Sequence, residues 1–154
     1  MKADLGQLNV LITRYEKAQF TVNRRLTAMI RELMRDEITI DQYATLRYLR
    51  GVGVCTSTEL ADIFCVGKSS ITAITSRLFD KHLIERQQDD KDRRVTLLRL
   101  TEEGRRAADL IETEIKGLIA CLLAHFETDE AMAFIATYEK LARVVAQSAG
   151  DGEE

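Results

Sequence analysis

A chain of 154 residues, 45% of them hydrophobic, can bury one ordinary core and is short for a multidomain enzyme. It contains no Pro and only eight Gly, where about 5% and 7% are usual, so the tight turns of an all-β sandwich are scarce and helices are favoured. The formal charge of -3, from 22 basic and 25 acidic residues, excludes a histone-like basic arm but leaves nucleic-acid binding open where the charge is locally basic.

The charge is unevenly placed. Residues 1–67 carry 9 basic and 8 acidic groups, residues 68–100 carry 8 and 5, and residues 101–154 carry 5 and 12, giving +1, +3 and -7. Only the middle stretch is basic. The three cysteines, Cys55, Cys65 and Cys121, are an odd and sparse set that fits a reducing cytoplasm better than a secreted disulfide scaffold. Charges interrupt the apolar positions of the N-terminus and no run of 18 apolar residues occurs, so neither a signal peptide nor a membrane span is expected.

From Leu5 the positions Leu8, Ile12, Tyr15, Val22, Leu26, Met29 and Leu33 recur in steps of three and four, with the polar Gln19 among them, which is a helical period. The segment runs about 30 residues without a break, and its stripe is wider than a small core covers; a second subunit is the economical way to bury the rest. In TIDQYATLRYLR, Thr39 and Gln42 have capping-box spacing, Tyr43, Leu46 and Leu49 face one way, and Gly51 and Gly53 are expected to end the helix. Thr56 and Glu59 repeat the capping-box spacing and start a short third helix from about Ser57 to Phe64.

After Gly67 the chain reads KSSITAITSRLFDKH. Ile71, Ile74 and Leu78 form its apolar stripe and leave Ser69, Ser70, Thr72, Ala73, Ser76 and Arg77 on or near the opposite face. A short helix, a tight connection and a second helix with a small, polar outer face make helix-turn-helix geometry. Short side chains let the backbone approach base edges, and Arg supplies a fork for guanine or phosphate. A Ser- and Thr-rich surface helix with no ligand has the same composition.

Leu83–Gln87 and Val95–Leu100 read as strands of a hairpin around a charged tip, Gln88–Arg94. Asp89, Asp90 and Asp92 oppose phosphate, so the tip cannot act as a plain basic patch. Asp92 lies two positions before Arg94, close enough for its carboxylate to aim the guanidinium, and a narrow minor groove attracts Arg. Thr101, followed by Glu102 and Glu103, caps a fifth helix carrying Leu110, Ile111, Ile115, Leu118, Ile119, Leu122, Leu123 and Phe126. Thr128, Asp129 and Glu130 open a sixth, with Met132, Ile135, Tyr138, Leu141 and Val145 on its face; the polar tail QSAGDGEE is expected to fray.

This order of elements, with DKDRRVTLLRLTEEG closing the wing, resembles the MarR family of bacterial transcription regulators over residues 5 to about 147. The most specific part is Asp92, Arg94, Leu100, Thr101 and Gly104, and KSSITAITSRLFDKHLIER matches the family's recognition segment. The resemblance implies a mainly α fold of six helices with a small β-wing. It implies a single domain over 1–150, with dimerisation helices in 1–35 and 101–147, a winged helix-turn-helix over 38–100, and a disordered tail at 148–154. It further implies a cytoplasmic homodimer that binds a pseudo-palindromic double-stranded operator and represses until a small aromatic or hydrophobic effector binds. The DNA-contacting set would be Lys68, Ser69, Ser70, Thr72, Ala73, Ser76, Arg77, Arg93 and Arg94, with Asp92 holding Arg94. Tyr15, Tyr43 and Tyr48 would line the effector pocket, or equally serve as plain core residues with wetted hydroxyls.

Three departures from the family pattern stand out. His82 occupies a turn where the family commonly has Gly, so it must tolerate a left-handed or strained backbone. The Ser that often starts the recognition helix is either replaced by Lys68 or displaced to Ser69, which leaves the N-cap open between them. Residues 1–35 lack the Cys of the peroxide-sensing branch.

Cys55 and Cys65 lie ten positions apart, about 15 Å if helical throughout, too far for a direct disulfide. They read as buried small hydrophobes or helix-end residues, with a thiol redox switch as the alternative. His82, His125 and the cysteines make no close zinc spacing, and no nucleotide loop, GxSxG or HExxH occurs, so no metal, cofactor or catalytic function is expected. The other rival is a winged helix that docks proteins; a groove binder loses affinity steeply with salt, whereas a docking domain need not.

Overall fold

The computed structural model describes residues 4–34 and 37–150, and in packing terms the chain divides into two units after Ile115. The first holds α1 (Leu5–Leu33), α2 (Ile40–Val52), β1 (Val54–Thr56), α3 (Ser57–Phe64), α4 (Lys68–Asp80), β2 (Ile84–Gln88), β3 (Thr96–Leu100) and the start of α5 (Glu102–Leu123). The second holds the rest of α5 and α6 (Thr128–Gly150). The fold is mainly helical, six helices and a small antiparallel sheet, as the sequence reading expected.

Both capping boxes form. Thr39 Oγ1 accepts from the Gln42 N–H at 3.2 Å while Gln42 Oε1 accepts from the Thr39 N–H, and Thr56 and Glu59 repeat the exchange at the head of α3. Each satisfies donors that the first turn of a helix leaves open. Gly51 does not stop α2, which continues to Val52; Gly53, at φ 82°, makes the turn because a residue without Cβ adopts that conformation freely.

The sheet has a strand that the sequence reading lacked. β1 pairs with β3, placing Cys55 opposite Leu98, and β3 pairs with β2, so the order is β1-β3-β2. Alternation then sends Cys55, Leu98, Leu100 and Ile84 inward. They join Leu46, Leu49, Leu60, Ala61, Ile71, Leu78 and Ala108 in the main core, while Glu85 and Arg99 pair on the outer face. A smaller cluster joins Met34, Tyr43 and Ile111, with Ile30, Ile40 and Ile115 against it.

α1 buries none of its residues within the chain: Leu5, Phe20 and Val22 are 78%, 65% and 56% exposed. On α6 Met132, Tyr138 and Val145 are likewise exposed. α6 runs to Gly150, past the point where the apolar pattern of the sequence stops, and residues 151–154 of the expected tail lie outside the described ones. No helix of the described residues is long and apolar enough to cross a membrane.

Candidate nucleic-acid interface

α3 and α4 are joined by three residues, Cys65, Val66 and Gly67. Cys65 closes α3 in a left-handed conformation, φ 52°, and Gly67 is the N-cap of α4, so neither Lys68 nor Ser69 takes that position. Gly67 has no side chain to offer, and the first turn of α4 has no side-chain cap. Ile71, Thr75 and Leu78 are buried, and Thr75 satisfies its hydroxyl on the Ile71 carbonyl at 2.9 Å. Burying this stripe exposes Lys68, Ser69, Ser70, Thr72, Ala73 and Arg77. Thr72 donates to the Lys68 carbonyl at 2.8 Å, which leaves its oxygen lone pairs as outward acceptors. Ser76 is half-buried, and its Oγ accepts from Arg86 at 3.2 Å.

The C-terminal end of α4 is tied to the base of the wing and to the α1–α2 connection. His82 takes φ 58°, the left-handed conformation that its place in a usual glycine position requires. Its carbonyl accepts from Thr101 Oγ1 at 2.7 Å, and the Leu83 carbonyl accepts from the Thr101 N–H at 3.1 Å. Thr101 Oγ1 also accepts from the Gly104 N–H, so one hydroxyl caps α5 and fastens it to the wing. Gly104 is required here because an added Cβ would lie 1.9 Å from the Leu83 carbonyl oxygen. Lys81 Nζ donates to the Glu37 carbonyl and, at 3.2 Å, to Gln42 Oε1.

The tip of the wing is built by its own aspartates. Asp89 Oδ1 accepts from the Lys91 N–H at 2.9 Å, and Asp92 Oδ1 accepts from the Arg94 N–H at 3.0 Å, both closing tight turns. Asp92 also grips the Arg94 guanidinium through two bonds, Nε to Oδ1 at 3.0 Å and a terminal N–H to Oδ2 at 3.1 Å. This fork holds the Asp92 carboxyl below its usual range through the side-chain bond first and the Arg94 backbone N–H second. The Arg94 side chain is 91% exposed, so it is aimed without being covered. Arg93 is exposed beside it.

Arg86 closes the matched segment KSSITAITSRLFDKHLIER, but the sequence reading gave it no role. It shares a strand face with Ile84 by alternation, and its guanidinium carbon lies 4.7 Å from the centre of the Phe79 ring. The parity of Ile84 and Arg86 was the available signal, but its partners Ser76 and Phe79 are visible only once α4 packs on β2.

The three tyrosines do not gather. Tyr15 is 49% exposed on α1, Tyr43 is buried with Met34 and Ile111, and Tyr48 packs on the main core with its ring edge-on to Phe64 at 6.3 Å. A cavity of about 160 Å³ lies near Tyr43, lined by Leu33, Met34, Ile38, Leu110 and Ile111 with the carboxylates Glu37 and Glu114. The cysteines are also dispersed: Cys55 is buried in β1, and Cys65 and Cys121 are exposed. Burial, then the nearby Glu59 charge, pushes the Cys55 thiol up to about 11. No cluster of metal-ligating side chains occurs among the described residues.

Comparisons with known proteins agree with this geometry. The MarR family model matches residues 38–96, the segment from α2 through the wing. YpoP of Bacillus subtilis, an HTH-type regulator, is 34% identical over 83 residues, covering 54% of this chain and 59% of its own. The HTH-type transcriptional repressor MdtR of the same organism is 33% identical over 104 residues, or 68% of this chain and 66% of its own. These two matches thus span about three-fifths to two-thirds of the relatives' lengths. Among solved structures, a mutant MarR from E. coli complexed with operator DNA superposes over 93% of this chain and 99% of its own, at 25% identity and a TM-score of 0.72. With the helix-turn-helix, the wing and these relatives in agreement, the chain belongs to the MarR family of winged helix-turn-helix transcription regulators.

Proposed function

We propose that this protein is a homodimeric, sequence-specific regulator that binds an inverted-repeat operator in double-stranded DNA and represses transcription until a small hydrophobic effector binds. The observation that carries the reading is the Asp92–Arg94 fork at the tip of the wing. An exposed Arg next to three acids is a poor phosphate patch, whereas an Arg aimed by a bidentate carboxylate suits a narrow minor groove. Beside it, the exposed small and hydroxyl side chains of α4 suit the major groove: Ser69, Ser70, Thr72 and Ala73 at base edges, Lys68 and Arg77 at phosphate or guanine, Ser76 at the rim. The uncovered apolar residues of α1 and α6 support a second copy as their cover. Repression rests on the likeness to MdtR, and operator binding on the likeness to E. coli MarR. The cavity lined by Leu33, Met34 and Ile111 supports an effector of compact size, being smaller than the roughly 300–1,000 Å³ of drug-sized sites.

The test is a double-mutant cycle at the wing, read by fluorescence anisotropy over a salt series on a duplex that the protein selects from a random library. Arg94→Ala is expected to weaken binding and lower the salt slope by about 1 per protomer. Asp92→Ala removes an acid facing a polyanion, so Coulomb's law alone predicts tighter binding, while loss of the orienting fork predicts weaker binding. The double variant should resemble Arg94→Ala. Tighter binding by Asp92→Ala, or strictly additive losses, would sink the paired reading. Binding that is insensitive to salt in the unaltered protein would favour a protein-docking domain instead.

A further inference from the structure

From α2 to the wing, four arginines of the described residues have their guanidinium groups held by other side chains, and three of them are neutralised. Arg50 is paired with Asp109 and Glu112, Arg94 with Asp92, and Arg99 with Glu85. Arg86 differs. Among the described residues no carboxylate lies within 4.0 Å of it, and it is held by two neutral groups, the Ser76 hydroxyl at 3.2 Å and the face of Phe79 at 4.7 Å. Both holders sit on α4, one and two turns from its outward Thr72 and Ala73, while Arg86 itself belongs to β2.

A guanidinium has five N–H donors, and one terminal N–H is engaged by Ser76. No hydrogen bond engages its remaining donors among the described residues, so no carboxylate offsets its charge, and contact with the Phe79 ring restrains the guanidinium before any ligand arrives. Holding it by a hydroxyl and a π face costs little of its attraction for an anion, whereas a carboxylate would cancel that attraction locally. An Arg so placed is prepared for bidentate contact with a phosphodiester, since little side-chain entropy remains to be lost. Its position at the seam between the recognition helix and the wing is where a backbone strand must pass if α4 occupies the major groove and Arg94 reaches the adjacent minor groove.

From this geometry we propose that Arg86 is a further DNA-binding residue: it contacts a backbone phosphate between the two grooves, with Ser76 and Phe79 as its positioning residues. The inference rests on the DNA-binding reading above. It also changes the role of Ser76, whose hydroxyl supports Arg86 rather than reading a base edge.

The experiment measures anisotropy over a salt series with the full-length protein, using a fluorescein-labelled duplex selected from a random library, and follows helical content and thermal midpoint for each variant. Arg86→Gln keeps a donor for Ser76 but removes the charge; it should bind about tenfold more weakly at low salt and lower the salt slope by about 1 per protomer. Arg86→Lys keeps the charge without the planar fork and should retain the slope while losing part of the affinity. Phe79→Leu removes the stacking platform but no charge; weaker binding with an unchanged slope is expected. A purely structural Arg86 would weaken binding in step with stability and leave the salt slope alone, which would overturn the proposal. Arg94→Ala runs beside these as the reference. If it weakens binding while Arg86→Gln matches the unaltered protein in affinity and slope, the Arg86 proposal fails and the DNA reading stands. If the unaltered protein selects no duplex at all, both fail.

Discussion

Two helical glycines of this chain should respond to alanine with opposite signs. At Gly104 a methyl group would lie 1.9 Å from the Leu83 carbonyl oxygen, where ordinary contact begins near 3.4 Å, so α5 and the His82–Leu83 turn must separate by about 1.5 Å. That motion breaks the bonds from Thr101 to the His82 and Leu83 carbonyls, now 2.7 and 3.1 Å long. Each bond contributes about 1 kcal/mol net. Forcing a methyl into a filled space costs about 1–3 kcal/mol more. The gain in helix propensity returns at most about 1 kcal/mol. The balance for Gly104→Ala is a loss of about 2–4 kcal/mol, or a thermal midpoint lower by roughly 5–15 °C for a chain of this size. Gly51 also lies in a helix, but nothing is within 4 Å of its added Cβ, so Gly51→Ala should gain about 0.5–1 kcal/mol. Circular dichroism melts of both variants and the unaltered protein, at one protein concentration, make the comparison. A Gly104→Ala midpoint equal to or above that of the unaltered protein would refute the close approach of α5 to the wing. The same variant should weaken DNA binding, because the turn it displaces anchors the wing.

Other outcomes can be checked with modest effort. Sedimentation at micromolar concentration should give about twice the 17.5 kDa chain mass, and a concentration-independent monomer would remove the two-fold operator geometry. The Asp92 carboxyl carbon should titrate by NMR below the ordinary 3.8, returning toward it in Arg94→Ala. Because its folded value is depressed, the fork's contribution is present above the ordinary aspartate range and is lost only as pH falls through the lowered value. Cys55, raised from 9.0 to about 11, should resist a thiol reagent at neutral pH in the native protein while exposed Cys65 reacts; equal rates would contradict the β1 placement. Its raised value also means that stability present below pH 9.0 declines between there and about 11, a loss that Cys55→Ala should lack.

Interactions that span one turn of chain were legible in the residues alone. The pairs Thr39 with Gln42, Thr56 with Glu59 and Asp92 with Arg94 each connect groups two or three positions apart, so spacing and chemical type suffice to foresee them. The burial of Ile71 and Leu78 on α4 followed from its period, and with it the exposure of Lys68, Ser69, Ser70, Thr72, Ala73 and Arg77, whereas Thr75 rather than Ile74 completes the buried face. His82 was legible as a strained turn because the elements on either side of it could be placed. β1 was not legible: three residues carry too little alternation to declare a strand, and Val54–Thr56 becomes one only by pairing with Leu97–Arg99, far along the chain. The same holds for the side chains. Tyr15, Tyr43 and Tyr48 share a residue type but not a location, since the depth of each depends on which helix covers it. Ser76 was read on or near the outer face of α4, but it is half-buried and its hydrogen bond is decided by a strand eight residues further on. Local sequence thus determined helices, caps and the aimed arginine of the wing, because their energies are settled within a turn of backbone. Packing alone decided the third strand, the partners of Arg86 and the requirement for Gly104, because each depends on where a separate element comes to rest.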